Sequence, residues 1–312
     1  MVYPLLELVE VSKCFRSNWT WRSSRAIDGL SLAIDENEIY GLIGHNGAGK
    51  TTTFKLLVGL LRPTRGTMLW NGTPLAWDRP RQGIGFSPEQ PYFYEYLTVR
   101  ETLNFYGQLY GMPAGARRQR IDELIEEFRL GHKANAPMRT LSKGTLQRVA
   151  VAQAIMHRPR LAILDEPMSG LDPGGRKAMR DLILSLKRQG TTVLFSSHIL
   201  SDAEALCDRV AILAEGRLRE VVNLDKDGEA PLSYTLVLAV APAASLEALR
   251  RMALEPSAGG AQRWTVKLKD EETVRAALVA LQNTNARVEA LLPERPSLEQ
   301  RFLQSIHATD AD

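Results

Sequence analysis

The 312-residue sequence contains only two cysteines and no long apolar run. Cys14 and Cys207 lie far apart, and no CxxC pair is present. A disulfide framework or a zinc site is therefore not expected. Cys207 stands at helical spacing in AEALCDRVAIL, which predicts a small residue of the core.

No stretch approaches the ~20 consecutive apolar residues that a membrane-spanning helix needs. The first residues, MVYPLLELVEVSKCF, lack the basic start and the long apolar segment of a signal peptide. The net charge of +3 is too small to indicate nucleic-acid binding. We therefore expect a cytoplasmic protein that binds no nucleic acid and reaches a membrane only through a partner.

The composition is that of a globular protein, with 44% hydrophobic and 24% charged residues. Up to residue 222, short apolar segments such as ENEIYGLIG, RLAILDEP and TTVLFSSH alternate with helical patterns, which predicts a doubly wound parallel sheet. Antiparallel pieces flank this sheet, and a helical insert is predicted at about 88–157. A polar linker is predicted at 223–232, and the alternating pattern of 233–312 predicts a small C-terminal α/β domain.

The segment GHNGAGKT fits the pattern G-x-x-x-x-G-K-[ST] and stands between a predicted strand and a predicted helix. Its glycines let backbone N–H groups surround phosphate oxygens, and Lys50 adds positive charge at the β- and γ-phosphates. The Thr51 hydroxyl can ligate Mg²⁺. We therefore expect a P-loop NTPase core that uses ATP and Mg²⁺. The candidate phosphate-binding residues are Gly44, His45, Asn46, Gly47, Ala48, Gly49, Lys50, Thr51 and Thr52.

Two carboxylates and one histidine follow predicted strands. Asp165 comes directly after the apolar run LAIL and is placed to hold Mg²⁺, usually through water. Glu166 is expected to point elsewhere, because side chains alternate along a strand, and to accept a proton from an attacking water. His198 ends TTVLFSSH at the same sheet edge and can donate a hydrogen bond to a γ-phosphate.

A second helix start that could attract an anion is predicted in LSKGTLQRVAVAQAI, where Ser142 lies 98 positions after Gly44. Ser142 is placed to cap this helix, and Gly144 follows two residues later. Because helix N-termini attract anions, this segment raises the question of which phosphate it binds.

Taken in order, these motifs resemble those of the ATP-binding subunits of ABC transporters, over about residues 5–222. GHNGAGKT is similar to the Walker A loop, LSKGTLQR to the signature and LAILDEP to Walker B. SGLD resembles the D-loop, and His198 the switch histidine. Phe15 stands where this family places an aromatic ring that stacks on adenine; the alternative is a core residue of a β-strand.

The resemblance implies that two ATPase subunits dimerise head to tail, so that the signature of one faces the ATP of the other. ATP would close the dimer and hydrolysis would open it. Both sets of motifs look intact, which favours a homodimer over a heterodimer. The signature residues are Leu141, Ser142, Lys143, Gly144 and Thr145, and the D-loop residues are Ser169, Gly170, Leu171 and Asp172.

The sequence departs from the family pattern at two motifs. The usual signature is LSGGQ, whereas Lys143 and Thr145 occupy its third and fifth positions here. Glu89 stands at the usual position of the Q-loop glutamine, with Gln90 as the alternative. A carboxylate at position 89 could bind Mg²⁺ but would repel phosphate oxygens.

The resemblance also implies integral membrane permease subunits as partners, and a location on the inner face of the cell membrane. A groove near Tyr92, Phe93, Tyr94 and Tyr96 would grip a short helix of such a subunit, or these aromatics would cover the core of the helical insert. Trp19, Trp21, Arg22 and Arg25 belong to a long loop that would approach a partner or lipid headgroups, or would simply extend a hairpin.

The tail segment PSLEQRFLQSI is similar to the end of a C-terminal domain found in drug, polysaccharide or lipid exporters. An exporter subunit is thus expected, with a tail that supports the dimer or regulates it. The alternative is a soluble ABC ATPase that acts on ribosomes or DNA. Such ribosomal factors usually carry two ATPase units in one chain, and the chromosomal relatives carry long coiled coils that this sequence lacks.

Overall fold

A computed structural model describes residues 3–16, 23–76, 81–224, 233–259, 263–282, 284–294 and 298–307. The chain divides into two compact units, residues 1–225 and 226–312. Of the predicted linker, residues 225–232 lie outside the described part, as do Trp19, Trp21 and Arg22 of the long N-terminal loop. No helix among the described residues is long and apolar enough to cross a bilayer.

The elements of the first unit are β1 (Leu6–Arg16), β2 (Ser23–Ile34), β3 (Ile39–Ile43), α1 (Lys50–Leu57), β4 (Arg65–Trp70), β5 (Thr73–Pro74), β6 (Ile84–Ser87), α2 (Val99–Leu109), α3 (Ala114–Glu127), α4 (Lys143–Ala154), β7 (Leu161–Leu164), α5 (Pro173–Arg188), β8 (Thr192–Ser197), α6 (Leu200–Leu206), β9 (Arg209–Ala214) and β10 (Arg217–Asn223). Two short 3₁₀ turns, Gly131–Lys133 and Met138–Thr140, precede α4.

The central sheet of this unit has six strands in the order β10-β9-β3-β8-β7-β6. Its strands from β9 to β6 run parallel, and β10 joins the edge antiparallel through a turn at Glu215–Gly216. Every residue of β3, β7 and β8 is buried, as expected for parallel strands covered on both faces. The carboxyl ends of these strands carry the loops that form the candidate site.

An antiparallel sheet of order β2-β1-β4-β5 shares one hydrophobic core with α1 and the central sheet. Cys207 is buried as the sequence predicts, and burial raises the pKa of its thiol. Its sulfur lies behind β3, where a Cβ added to Gly41 would come within 2.7 Å of it. The cysteine therefore fills space between the strand and its neighbours.

The helical segment between β6 and β7 has local start signals. Thr98 and Glu101 form a capping box at α2, and Ser142 caps α4 through its hydroxyl. Helix α4 packs against β6 and β7 as well as α2, so the last helix of the predicted insert belongs partly to the central sheet.

The second unit contains β11 (Ser233–Val240), α7 (Ala243–Arg251), β12 (Ser257–Gly259), β13 (Arg263–Leu268), α8 (Glu271–Leu281), β14 (Arg287–Glu294) and α9 (Leu298–His307). Up to β14 the order is βαββαβ, and the antiparallel sheet has the order β12-β13-β11-β14, which is a ferredoxin-like arrangement. The sequence predicts these elements except the three-residue strand β12. The predicted α/β fold class is confirmed.

Candidate active site

The loop between β3 and α1 is shaped by glycines that have left-handed backbones. Gly47 has φ 86° and Gly49 has φ 109°. A Cβ on Gly44 would lie 2.5 Å from the Leu213 carbonyl oxygen, so the loop start also needs glycine. Helix α1 begins directly after Gly49 and has no side-chain cap. Its first N–H groups are therefore placed to bind an anion.

Gly216, in the β9–β10 turn, supports this loop from behind. Its N–H donates to the Ala48 carbonyl at 3.0 Å, and its own carbonyl accepts from the Asp28 N–H at 2.9 Å. The backbone has φ 76°, and a Cβ would lie 2.5 Å from the Ala26 carbonyl oxygen. The sequence indicates the Glu215–Gly216 turn but not its contact with the phosphate loop.

Lys50 is buried and points into the loop. Its Nζ donates to the Gly44 carbonyl at 2.7 Å and lies 3.4 Å from Glu166 Oε1. The ammonium is thus held between backbone oxygens and a carboxylate.

Ser196 on β8 fixes the backbone that carries both acidic residues. Its hydroxyl donates to Asp165 Oδ1 at 2.7 Å and accepts from the Glu166 N–H at 2.8 Å. The Asp165 N–H donates to the Ser87 carbonyl at 2.8 Å, and the Asp165 side chain is 2% exposed. Sequence reasoning missed Ser196, because a serine in a buried strand carries no motif.

Glu166 departs from the predicted strand geometry. Strand β7 ends at Leu164, and Glu166 has φ 49°. This left-handed backbone sets the direction of the Glu166 side chain. The alternation of side chains along a strand, which the sequence predicts, does not set it. Glu166 Oε2 lies 2.9 Å from His198 Nδ1, and the residue is 8% exposed. The carboxylate therefore stands between Lys50 and His198.

A cleft of about 470 Å³ brings these residues together and is called the phosphate cleft below. It contains Glu89 but not Gln90, which favours Glu89 as the residue that faces the site. Gly44 and Asp165 do not line it. The lining residues are Ala26, His45, Asn46, Gly47, Ala48, Gly49, Lys50, Thr51, Thr52, Glu89, Glu166, Ser169 and His198.

Phe15 does not line the phosphate cleft. Its ring is 42% exposed, so the alternative of a buried core residue is wrong. Lys13 Nζ lies 5.2 Å from the ring centroid. The ring is accessible to a planar group such as a base, with a cation already on it.

The predicted second anion site lies in a separate cleft of about 540 Å³, called the second cleft below. Ser142, Lys143 and Gly144 line it, whereas Leu141 and Thr145 are buried. The Ser142 hydroxyl accepts from the Thr145 N–H at 3.3 Å and so starts α4. None of these five residues lines the phosphate cleft.

The segment 169–172 borders both clefts. Ser169 lines the phosphate cleft, whereas Gly170, Leu171 and Asp172 line the second cleft. Gly170 has φ 68°, and a Cβ there would overlap the ammonium of Lys143. Asp172 caps α5 by accepting from the Gly175 N–H at 3.2 Å.

Three tyrosines form an exposed patch near α2. Tyr92 is 86%, Tyr94 62% and Tyr96 78% exposed, whereas Phe93 is buried. The Arg139 guanidinium lies 5.4 Å from the centroid of Tyr96. Of the four predicted aromatics, Phe93 covers the core and the tyrosines are available to a partner. Arg25, predicted to belong to the long loop, instead lies in β2 and pairs with Asp28 at 2.8 Å.

The protein oxygens near the phosphate cleft suit a metal ion that binds together with the phosphates of its substrate. Within the described ranges, no group of three or more His, Cys, Asp or Glu side chains could hold a metal ion. Mg²⁺ usually keeps several waters and takes one or two protein oxygens plus phosphates. Thr51 lines the phosphate cleft, and the buried Asp165 directly precedes Glu166, which also lines it, so the two residues give this small set of oxygens.

Comparison with known proteins gives one consistent result. Residues 27–169 match the family described as ABC transporter. Protein sll0415 of Synechocystis, described as an uncharacterized ABC transporter ATP-binding protein, is 38% identical over 314 residues, covering 97% of this chain and 84% of that protein.

Solved structures agree with the sequence match. A structure described as the ATP-binding subunit of an ABC transporter is 35% identical and covers 71% of this chain and 90% of that chain, with a TM-score of 0.62. A dimeric post-hydrolysis structure of the ATP-binding cassette MJ0796, bound to ADP and phosphate, is 25% identical. It covers 70% of this chain and 98% of that chain, with a TM-score of 0.64.

Proposed function

The chain belongs to the family of ABC transporter ATP-binding proteins, and from that premise we propose that it powers an exporter through ATP-driven, head-to-tail dimerisation. The observation that carries the proposal is the separation of the two candidate anion sites. Lys50, Glu166 and His198 meet in the phosphate cleft, whereas Ser142 and Gly144 line the second cleft.

Binding of ATP begins at the phosphate loop. The left-handed glycines and the start of α1 present N–H groups to phosphate oxygens, and Lys50 supplies a positive charge. Lys50 Nζ lies 3.4 Å from Glu166 Oε1, so an incoming phosphate competes with this carboxylate for the ammonium. Release of Glu166 from Lys50 leaves the carboxylate free to accept a proton.

Hydrolysis uses Glu166 as the general base and His198 as a partner of the γ-phosphate. The bond between Glu166 Oε2 and His198 Nδ1 orients both groups. Thr51, and Asp165 through water, would hold Mg²⁺, which would supply positive charge at the phosphates when bound. Glu89 faces the same space and is our choice for the Q-loop role.

Adenine recognition is assigned to Phe15. The ring is exposed, and stacking of an aromatic ring on a base is worth about 1–3 kcal/mol. Lys13 above the ring keeps one face charged, so we expect the base on the opposite face.

Dimerisation follows from the second cleft. Ser142, Lys143 and Gly144 at the start of α4 would meet the γ-phosphate held by another copy. A helix dipole adds only about 1–2 kcal/mol. Hydrogen bonds to charged oxygens add roughly 1.5–3 kcal/mol each, so the γ-phosphate carries much of the association energy. Its loss opens the pair.

The membrane partner is proposed to dock on the exposed tyrosines Tyr92, Tyr94 and Tyr96. Aromatic residues are enriched at the centres of protein interfaces, and Arg139 already packs on Tyr96. This docking places the protein on the inner face of the cell membrane. Export, rather than import, is supported by the similarity of the tail to exporter domains.

The catalytic assignment is tested with Glu166→Gln. We expect this variant to bind ATP, to lose about 10²–10⁴-fold in turnover and to accumulate as an ATP-bound dimer. Its control is Glu126→Gln, an exposed change on α3 that should leave turnover unaltered. Wild-type turnover in Glu166→Gln would contradict the role of the base.

The cross-subunit role is tested with Ser142→Arg in the Glu166→Gln background. ATP binding should survive, and light scattering should detect no ATP-dependent dimer. A dimer that forms normally would overturn the head-to-tail arrangement. Copurification with a polytopic membrane protein separates a transporter subunit from the alternative, a soluble ATPase that acts on ribosomes or DNA.

A further inference from the structure

A buried carboxylate, Asp202, holds α5 against α6. Its Oδ2 accepts from Arg176 Nη2 at 2.5 Å, and its Oδ1 accepts from Arg180 Nη1 at 3.2 Å. Asp202 is 1% exposed, and a buried charge is stable only when it is paired. The two arginines lie one turn apart on α5, so both reach the same carboxylate. This three-residue group is called the Asp202 clamp.

Helix α5 connects the Asp202 clamp to the second cleft. Helix α5 begins after Asp172, which lines that cleft. The Arg176 N–H donates to the Asp172 carbonyl at 2.9 Å, which makes Arg176 the residue one turn into the helix. Arg176 is therefore joined by one hydrogen bond to the segment 170–172.

The other side of the clamp leads to His198. The Asp202 N–H donates to the Ile199 carbonyl at 3.2 Å, and the Ile199 N–H donates to Ser197 Oγ at 2.9 Å. His198 lies between Ser197 and Ile199 in the chain, and its Nδ1 is 2.9 Å from Glu166 Oε2. Hydrogen bonds thus connect Asp202 to Ile199 and Ile199 to Ser197, the two residues that flank the histidine.

A second connection between Glu166 and the second cleft runs through Ser169. Its N–H donates to the Glu166 carbonyl at 3.0 Å, and Ser169 begins the segment that ends in Asp172. Glu166 is thereby connected to the second cleft in two directions, directly through residues 169–172 and indirectly through the clamp and His198.

We propose that the Asp202 clamp couples arrival of a second copy at residues 170–172 to the alignment of His198 and Glu166. This inference rests on the proposed function and makes Arg176 and Asp202 positioning residues, neither of which lines the phosphate cleft. Without the clamp, α5 can move with the partner while α6 and His198 stay behind. The dimer then forms, but turnover slows and the two ATP sites lose their cooperation.

The test compares Arg176→Met with Lys187→Met. Both changes remove a cation from α5, and Lys187 Nζ lies 2.5 Å from Asp208 Oδ1 at the far end of the helix. We expect Arg176→Met to lower kcat about tenfold, as the loss of a charged hydrogen bond at a positioned group implies. The KM for ATP should stay within about twofold and the Hill coefficient should fall toward 1.

Four further measurements separate positioning from folding. Arg176→Lys should restore part of kcat, and Arg180→Met should lose less than Arg176→Met, because Arg180 lies farther from the second cleft. ATP-dependent dimerisation of Arg176→Met in the Glu166→Gln background should match that of Glu166→Gln alone. The double variant Arg176→Met/Asp202→Asn should lose no more than the larger single loss, since both act through one contact.

The proposal is overturned if Arg176→Met keeps wild-type kcat and Hill coefficient, or if Lys187→Met lowers both equally. If Asp202→Asn fails to fold, Arg176→Met carries the test, because Arg180 remains on the carboxylate. A wild-type protein that shows no ATPase activity, or a Glu166→Gln variant that shows no ATP-dependent dimer, contradicts the proposed function. A normal wild type with an unaffected Arg176→Met contradicts the clamp alone.

Discussion

Replacement of Ser196 by alanine should loosen the strand that carries both carboxylates. The Ser196 hydroxyl is the shared partner of Asp165 Oδ1, at 2.7 Å, and of the Glu166 N–H, at 2.8 Å. The serine is fully buried, so water does not readily replace the lost hydroxyl. The substitution therefore leaves a charged oxygen and an amide unsatisfied at the same time.

The expected cost can be worked from these two bonds. A hydrogen bond to a charged group contributes roughly 1.5–3 kcal/mol, and a buried amide left without a hydrogen-bond partner costs about 1–3 kcal/mol. The two terms share one hydroxyl and are not fully additive. We expect a loss of about 3 kcal/mol in the local free energy of opening, which corresponds to roughly 150-fold faster amide exchange.

Hydrogen exchange measured by mass spectrometry tests this value in peptides that cover β7 and β8. The matched control is Ser185→Ala, which removes a hydroxyl bonded at 2.9 Å to Glu127 in a half-buried place. The control should change exchange by less than about tenfold, and only near the end of α5. A change below about threefold in β7 and β8 of Ser196→Ala would refute the assignment of Ser196 as their anchor.

Three other substitutions have defined outcomes. Gly170→Ala should lower ATPase activity and destabilise its turn by about 1–2 kcal/mol, measured by steady-state assay and urea titration, because φ is 68°. Gly216→Ala, with φ 76°, should weaken ATP binding in a fluorescence titration by displacing the phosphate loop. Burial lowers the pKa of His157 in the folded protein. As the pH falls through about 6.5, this histidine takes up a proton in the unfolded chain but not in the folded one, which favours unfolding. We therefore expect Tm to fall between about pH 7.5 and 5.5. His157→Phe, which keeps the stacking on Tyr110, should flatten that decline.

The sequence predicts much of this molecule because several signals agree locally. The strand before GHNGAGKT, the glycines of that loop and the helix after it are one continuous segment, so spacing alone places Lys50 and Thr51. The same holds for Asp165, which follows an apolar strand. Such elements need no information from distant parts of the chain.

The contacts that hold the site together could not be predicted in this way. Ser196 lies 31 residues from Asp165, and Arg176 lies 26 residues from Asp202. A serine in a strand or an arginine on a helix has many possible partners, and only the order of strands decides which one it meets. The left-handed backbone of Glu166 was also unpredictable, because glutamate has no preference for that conformation.

All six strands of the central sheet, and every residue that lines the phosphate cleft, precede residue 224. A polypeptide that stops at residue 225 would therefore retain the complete central sheet and every residue that lines the phosphate cleft. Comparing its turnover and assembly with those of the 312-residue chain would isolate what the ferredoxin-like unit adds.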